Sequence, residues 1–189
     1  GKLVSNSNLS FQYRVGAKKA TAKARVDYLL DVVEEQVRGF ISTYKQTYVG
    51  VPEYWGRQID ECSRQGYAET FAGRRVQLRG DFKGKFGWNL ASTAINYRIQ
   101  GTGGDQKYLA IAIIKPYMAR EGILFAWELH DGLYLYVPTE KVERCVPEIN
   151  KMLNNLPYRQ AWGFTPSIPL PWDCKIGPSW GELKEWTST

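Results

Sequence analysis

The strongest constraint on the fold is a short turn between two strand-like stretches in the second half of the chain. Residues 123–129 and 133–137 are rich in aromatic and aliphatic side chains, and Asp131-Gly132 lies between them. An Asp-Gly pair in such a place is typical of a β-hairpin, because both residues tolerate a positive φ. The sequence therefore predicts two antiparallel strands that present Asp131 at their turn.

The first third of the chain predicts helices. Residues 14–25 are basic and predict one helix or two short ones. Over residues 31–48, apolar side chains recur at spacings of three and four. This pattern predicts an amphipathic helix that the Gly-Val-Pro sequence at 50–52 ends. A second helix is predicted over residues 52–64, with Gly66 as its stop.

A long helix is predicted before the hairpin, over residues 89–119. Its glycines at 101–104 predict close approach of another backbone, and its apolar run at 108–114 is expected to be buried. After the hairpin, an amphipathic helix is predicted to start near Thr139. The proline-rich tail that follows is expected to be extended, with a short closing helix at 180–186.

Two short strands are predicted ahead of the long helix. They cover residues 67–71 and 75–78 and are joined around Gly73. Taken with the hairpin, these strands predict an α+β fold with an antiparallel sheet. The helical part is expected over residues 1–66 and the sheet-containing part over 67–189.

The charge balance suits a polyanionic partner without establishing one. The chain has 25 Lys+Arg against 19 Asp+Glu, a net charge of +6, so nucleic acid is one candidate partner. Three widely separated cysteines argue against a disulfide framework and favour a reducing, intracellular setting. No apolar run has the length of a membrane span, so no membrane partner is predicted. The first residue, Gly1, predicts a piece that was cut, processed or expressed separately.

Several polar residues have both a structural and a functional interpretation. Asp131 either stabilises only its own turn or holds Mg²⁺, an ion that prefers carboxylate oxygens. Arg74 and Arg75 are either solvated or a clamp for phosphate. Asn96 and Gln100, four residues apart on the predicted long helix, face solvent or read the minor groove. Four tryptophans are predicted to lie in the core: Trp55, Trp88, Trp127 and Trp162.

Five segments resemble, in order, the motifs of family A DNA polymerases (the DNA polymerase I type), and the first resembles phage members. They are the end of motif B at 8–14, the return from fingers to palm at 66–75, the long palm helix at 96–105, motif C at 129–138 and the closing segment at 176–185. The resemblance spans nearly the whole chain. It implies a partial right-hand polymerase, with a helical fingers portion at 1–66 and a C-terminal palm portion at 67–189.

The resemblance implies roles at the chemistry. Asp131 would be a catalytic metal ligand in a site for two Mg²⁺ ions, and His130 would pack near the primer terminus. Tyr13 would close the fingers helix beside the nascent pair. The lysine that binds the dNTP triphosphate lies eight residues before that tyrosine in the family, where this chain has Ser5. Either Lys2 takes its place or the lysine is absent.

The resemblance also implies contacts with primer–template DNA. Arg74 and Arg75 would clamp the nucleic-acid backbone. Asn96, Gln100 and Thr102 would contact the template or the minor groove near the terminal base pair.

Two further departures from the family concern carboxylates. The family usually has Glu after the motif C aspartate, whereas this chain has Gly132. Either metal binding is weaker or that Glu is dispensable here. The motif A aspartate is not found in the chain, and two-metal chemistry needs carboxylates from separate strands. The chain alone is therefore expected to be inactive and to need an N-terminal segment or subunit that carries motif A.

The leading hypothesis is the C-terminal portion of a DNA-directed DNA polymerase, acting in the cytoplasm of a bacterial host. It would join a dNTP to a primer 3′-OH. The alternative is a catalytically inert module that binds primer–template or a partner, and a third possibility is an unrelated basic α+β domain. Activity after addition of the missing half separates the first two, whereas steep salt dependence of DNA affinity is expected under both.

Overall fold

The computed structural model describes residues 11–85 and 87–186, and these form two compact units. The first unit contains the described residues up to Thr70 together with Arg74–Ile99. The second contains Phe71–Gly73 and the described residues from Gln100 onward. Lys2 and most of the segment that resembles motif B lie outside the described residues.

Among the described residues, the first unit contains the helices α1 (Ala17–Tyr28), α2 (Glu34–Thr47) and α3 (Gly50–Gln65). The basic stretch thus forms one helix. The prediction that the Gly-Val-Pro sequence ends α2 is wrong, because α2 ends at Thr47 and Gly50 begins α3. Proline is tolerated in the first turn of a helix, where its missing N–H has no helical acceptor. Gly66 ends α3 as predicted, with φ of 75°.

The first unit also contains a small antiparallel sheet. Strands β1 (Tyr67–Glu69) and β2 (Arg75–Gln77) pair across a turn in which Gly73 has φ of 89°. Their buried side packs on α3 and on the start of the long helix. The cluster there comprises Cys62, Ala68, Leu78 and Ala94.

The long helix α4 (Gly87–Glu121) has 35 residues and runs without a break through the glycines at 101–104. A Cβ atom at Gly103 would meet nothing within 4 Å, so the predicted close approach is wrong there. Burial of the 108–114 run on all sides is also wrong. Ile114 is fully buried but Tyr108 is 58% exposed, because the neighbouring elements cover one face of the helix. Among the described residues, neither this helix nor another could span a membrane.

The predicted hairpin follows α4. Strand β3 (Leu124–Leu129) pairs antiparallel with β4 (Gly132–Tyr136), and Leu129 is the partner of Gly132. The turn therefore consists of His130 and Asp131, one residue earlier than predicted, and the positive φ belongs to His130 at 54°. Gly132, expected as a turn residue, is instead the first residue of β4.

The rest of the second unit covers the buried side of α4 and the hairpin. It contains α5 (Val142–Leu153), α6 (Tyr158–Trp162) and the strands β5 (Lys175–Ile176) and β6 (Lys184–Glu185). A single 3-10 turn at Trp180–Glu182 stands where a closing helix was predicted. The core cluster comprises Ile114, Met118, Ile123, Cys145 and Ile149. The α+β class with antiparallel pairing is confirmed, as three separate two-stranded sheets among the described residues.

The tryptophans divide between core and surface. Trp55 is buried as predicted and Trp162 is half-buried. Trp88 and Trp127 are 48% and 42% exposed, so their placement in the core is wrong. Each ring instead has a partner at the surface. The Nζ atom of Lys19 lies 5.6 Å from the ring centroid of Trp88, and Trp127 belongs to an aromatic stack.

Candidate active site and nucleic-acid interface

The turn of the β3–β4 hairpin presents a carboxylate to solvent. His130 and Asp131 are the two turn residues, and both are exposed. A positive φ is uncommon for a residue other than glycine, although histidine, like asparagine and aspartate, adopts it more readily than most. The hairpin thus places Asp131 where an incoming ligand could meet it.

A lysine from α4 holds this turn. The Nζ atom of Lys107 donates a hydrogen bond to the carbonyl oxygen of His130 at 3.0 Å. The same ammonium group forms an ion pair with Glu128 of β3 at 3.0 Å. The side chain of Lys107 is 12% exposed. Local sequence patterns do not predict this role of Lys107, because the carbonyl group that it binds lies 23 residues later in the chain.

An aromatic stack lies beside the turn. The ring of Tyr134 lies 4.3 Å from that of Trp180 and 5.7 Å from that of Trp127, centroid to centroid, and all three rings are close to parallel. A Cβ atom at Gly132 would lie 3.2 Å from the ring and the hydroxyl of Tyr134. A side chain at position 132 would therefore require the ring of Tyr134 to move by a few tenths of an ångström.

Arg74 and Arg75 both have partners within their own unit. The guanidinium of Arg75 pairs with Glu69 and lies 4.5 Å from the ring centroid of Tyr67. The hydrogen bond to Glu69 raises the pKa of Arg75 above its usual value. Arg74 donates to the hydroxyl of Tyr97 at 3.1 Å and lies over the same ring. The pair is thus positioned by its neighbours, and Arg75 has part of its charge balanced.

The polar residues predicted on α4 differ in exposure. Gln100 is exposed. Asn96 is half-buried, and its Oδ1 atom is buried without a hydrogen-bond partner among the described residues. Thr102 is 8% exposed, and its hydroxyl oxygen accepts a hydrogen bond from the backbone N–H of Phe71 at 3.0 Å. Thr102 therefore supports the segment Phe71–Gly73 rather than facing solvent.

Tyr13 lies at the start of the described chain and is half-buried. Its surroundings are anchored, because Phe11 is buried and Trp55 donates its indole N–H to the carbonyl oxygen of Gln12 at 2.9 Å. The proposed partner in nucleotide binding, Lys2, lies outside the described residues.

The carboxylates near the hairpin turn do not form a complete metal site. Within 11–85 and 87–186, no group of three or more His, Cys, Asp or Glu residues is placed to hold an ion. At the turn, Asp131 offers the oxygen ligands that Mg²⁺ prefers, whereas Glu128 is paired with Lys107. Asp131 is thus an exposed carboxylate of the kind that can serve as one ligand of such an ion.

The chain belongs to DNA polymerase family A, because the family model of that description matches residues 9–182. This match covers the hairpin, the long helix and the paired arginines.

The chain is also similar to curated DNA polymerases. The chain is 28% identical over 77% of its length to DNA polymerase I of Deinococcus radiodurans, and covers 15% of it. It is 25% identical over 94% of its length to the thermostable DNA polymerase I of Thermus aquaticus, covering 20% of it. With DNA polymerase theta of Drosophila melanogaster, the identity is 28% over 82% of the chain and 8% of the relative. The chain thus spans a fifth or less of these relatives.

A solved structure shows the fold. The POL domain of Pol1 from M. smegmatis, solved in complex with DNA primer-template and dNTP, superimposes with a TM-score of 0.70 at 18% sequence identity. The match covers 81% of this chain and 27% of that one. The chain therefore has the fold of part of a right-hand polymerase domain.

Proposed function

We propose that this chain is the C-terminal fingers and palm part of a phage-type, DNA-directed DNA polymerase. The complete enzyme would join the α-phosphate of a dNTP to a primer 3′-OH and release pyrophosphate. The observation that carries the proposal is the exposed Asp131 at the turn of a hairpin, within the stretch that matches the family. The phage origin and the cytoplasm of a bacterial host stay predictions.

Asp131 is proposed as the carboxylate that this chain contributes to two Mg²⁺ ions. Bound divalent ions would neutralise the charge on the transferring phosphoryl group. The role of the protein would be to hold the carboxylate and the primer terminus in fixed positions, because this reaction depends on positioning and electrostatics. His130, on the same turn, is proposed to pack near the primer terminus.

Two further groups of residues are proposed to bind the substrates. Arg74 and Arg75 would contact the nucleic-acid backbone, and their support from Tyr97 and Glu69 would orient the guanidinium planes. Gln100 and Asn96 would contact base edges, with which side-chain amides can form hydrogen bonds. Thr102 would act by holding Phe71–Gly73, and Tyr13 and Lys2 would bind the dNTP.

An N-terminal segment with motif A is the proposed protein partner. Strand β3 has an unusual amount of exposed apolar surface: Leu124, Phe125, Trp127 and Leu129 are 65%, 41%, 42% and 46% exposed. Exposed apolar patches of this kind mark interaction sites. A segment that covers β3 would bury them and could bring the second carboxylate to Asp131.

Primer extension by the chain mixed with its N-terminal segment tests the proposal. The mixture should extend a primer, the chain alone should not, and Asp131→Ala in the mixture should abolish turnover while DNA binding persists. Asp31→Ala, another exposed aspartate, serves as the matched control. Extension by the chain alone would contradict the need for a partner, and activity in Asp131→Ala would contradict the assignment of Asp131.

The second candidate is an inert module that binds primer–template or a partner. It is favoured by Gly132, because this residue supplies no second carboxylate beside Asp131. DNA binding without extension in the mixture would support it.

A further inference from the structure

We propose that Lys107 is a positioning residue for Asp131, holding the hairpin turn in the geometry that catalysis requires. This inference rests on the proposed polymerase function. Lys107 belongs to α4, 23 residues before the carbonyl group that it binds, so its effect on the turn is a tertiary one.

The geometry ties the turn to the long helix. The ammonium group donates to the carbonyl oxygen of His130, the residue directly before Asp131, and pairs with Glu128 two residues earlier, both at 3.0 Å. The two contacts therefore fix the end of β3 and the first turn residue together. A shift of the carbonyl would move the next residue with it, because the peptide unit is planar.

The burial of Lys107 indicates that these contacts are specific. Its side chain is 12% exposed, whereas that of its partner Glu128 is 39% exposed. Burying an ammonium group is costly unless hydrogen bonds and an opposite charge compensate. A solvated lysine would instead keep its charged end in water.

The turn needs such support because its backbone is strained. His130 has φ of 54°, a conformation that residues other than glycine seldom adopt. Such conformations persist when the surrounding structure determines them, and they concentrate at functional sites. Without the lysine, the turn could relax and carry the Asp131 carboxylate with it.

Three variants of the chain, mixed with its N-terminal segment, isolate this effect. Lys107→Met removes the donor and keeps the apolar stem. Lys107→Arg keeps the charge and the donors. Lys115→Met changes an exposed lysine on the same helix and is the matched control.

Kinetics and the state of the turn are measured together. Lys107→Met should lower kcat about 10- to 100-fold, because small misplacements of catalytic groups have effects of that size. The KM for dNTP should change less than about threefold, since the contacts that bind the dNTP equally in the ground state and in the transition state are retained. Lys107→Arg should recover most of the turnover. His130 is the single histidine of the chain, so histidine labelling reports on the turn by NMR. Its signals should shift in Lys107→Met and not in Lys115→Met.

Unchanged kcat in Lys107→Met, or a loss matched by Lys115→Met, would overturn the proposal. So would lost turnover with unshifted His130 signals. If Lys107→Met fails to fold, Lys107→Gln replaces it, with the same expected loss and the same contradicting result. Failure of the proposed function is distinct, because the unsubstituted mixture would then not extend a primer. An active unsubstituted enzyme with an unaffected Lys107→Met would contradict only the role of the lysine.

Discussion

The two hairpins that carry the candidate site residues are held in different ways. In the β1–β2 hairpin, the positive φ of the turn belongs to Gly73. The backbone N–H of Arg74 donates to the hydroxyl oxygen of Thr70 at 3.1 Å, and the backbone N–H of Thr70 donates to the carbonyl oxygen of Arg74 at 2.9 Å. In the β3–β4 hairpin, the positive φ belongs to His130, and a lysine 23 residues away bonds to the turn.

This difference is one of degree between local and tertiary support. The arginine hairpin has these bonds within its own turn and one bond from the backbone N–H of Phe71 to the hydroxyl of Thr102 on α4, so turn chemistry accounts for a large part of its conformation. The aspartate hairpin depends on α4, the aromatic stack and the contacts at the end of α4. The candidate catalytic residue is therefore sensitive to substitutions that lie far from it in the sequence.

The two largest effects on the free energy of unfolding, of similar size, are expected from Gly132→Glu in the β3–β4 hairpin and from a substitution of Gly73 in the β1–β2 hairpin. The new Cβ atom would lie 3.2 Å from the ring of Tyr134, so that ring, which stacks on Trp180, must move by a few tenths of an ångström. Overpacking of this kind costs about 1–3 kcal/mol. Denaturant unfolding measures the loss. The double substitution with Tyr134→Ala should couple favourably, and additive losses would contradict the contact.

The β1–β2 hairpin is expected to be sensitive to a substitution of Gly73. Its φ of 89° is unfavourable for alanine, and a Cβ atom there would meet nothing within 4 Å, so the cost is purely one of backbone strain. Gly73→Ala is expected to lower the free energy of unfolding by about 1–3 kcal/mol. Gly103→Ala, within a helix and equally open, should stabilise instead, and equal effects at the two sites would contradict this reasoning.

A smaller, pH-dependent effect is expected at the entry to β3. Glu121, the last residue of α4, accepts a hydrogen bond from Arg144 at 2.5 Å, and Lys141 donates to its carbonyl oxygen at 2.6 Å. The bond to Arg144 lowers the pKa of Glu121 to about 2.

A lowered folded-state pKa means that the stabilisation is complete above the unfolded pKa of 4.5. It is lost as the pH falls from there through 2. Glu121→Gln should therefore lower the thermal unfolding midpoint at pH 7, and the difference from the unsubstituted chain should shrink below pH 4.5. The exposed Glu140→Gln is the control, and a difference that does not depend on pH would contradict the assignment.

The smallest effect is expected from His130→Gly. Glycine accepts the positive φ without strain but loses more conformational freedom on folding, so the two terms largely cancel. The free energy of unfolding should change by less than about 1 kcal/mol. A large increase in the free energy of unfolding would contradict the expectation that the two terms cancel.

Local patterns predicted a good part of the fold and of the candidate site. The stop at Gly66, the pairing around Gly73 and the hairpin after α4 were all predicted, because each depends on backbone preferences of a few neighbouring residues. The turn lies one residue earlier than predicted, with the positive φ at His130, and the Asp-Gly signature does not report the tertiary bond from Lys107 to the His130 carbonyl oxygen. Burial on α4 was misjudged, because composition cannot tell which face another element covers.

The sequence by itself determined the order of helices and strands, the exposed aspartate at a hairpin turn and membership of DNA polymerase family A. Only the tertiary structure decided what surrounds that aspartate. The turn is bound by Lys107, and Tyr134 beside it stacks on Trp180. These residues are widely separated in the sequence, and no local pattern marks them. The physical reason is that local preferences act over a few bonds, whereas ion pairs and ring stacking form between residues that the fold alone brings together.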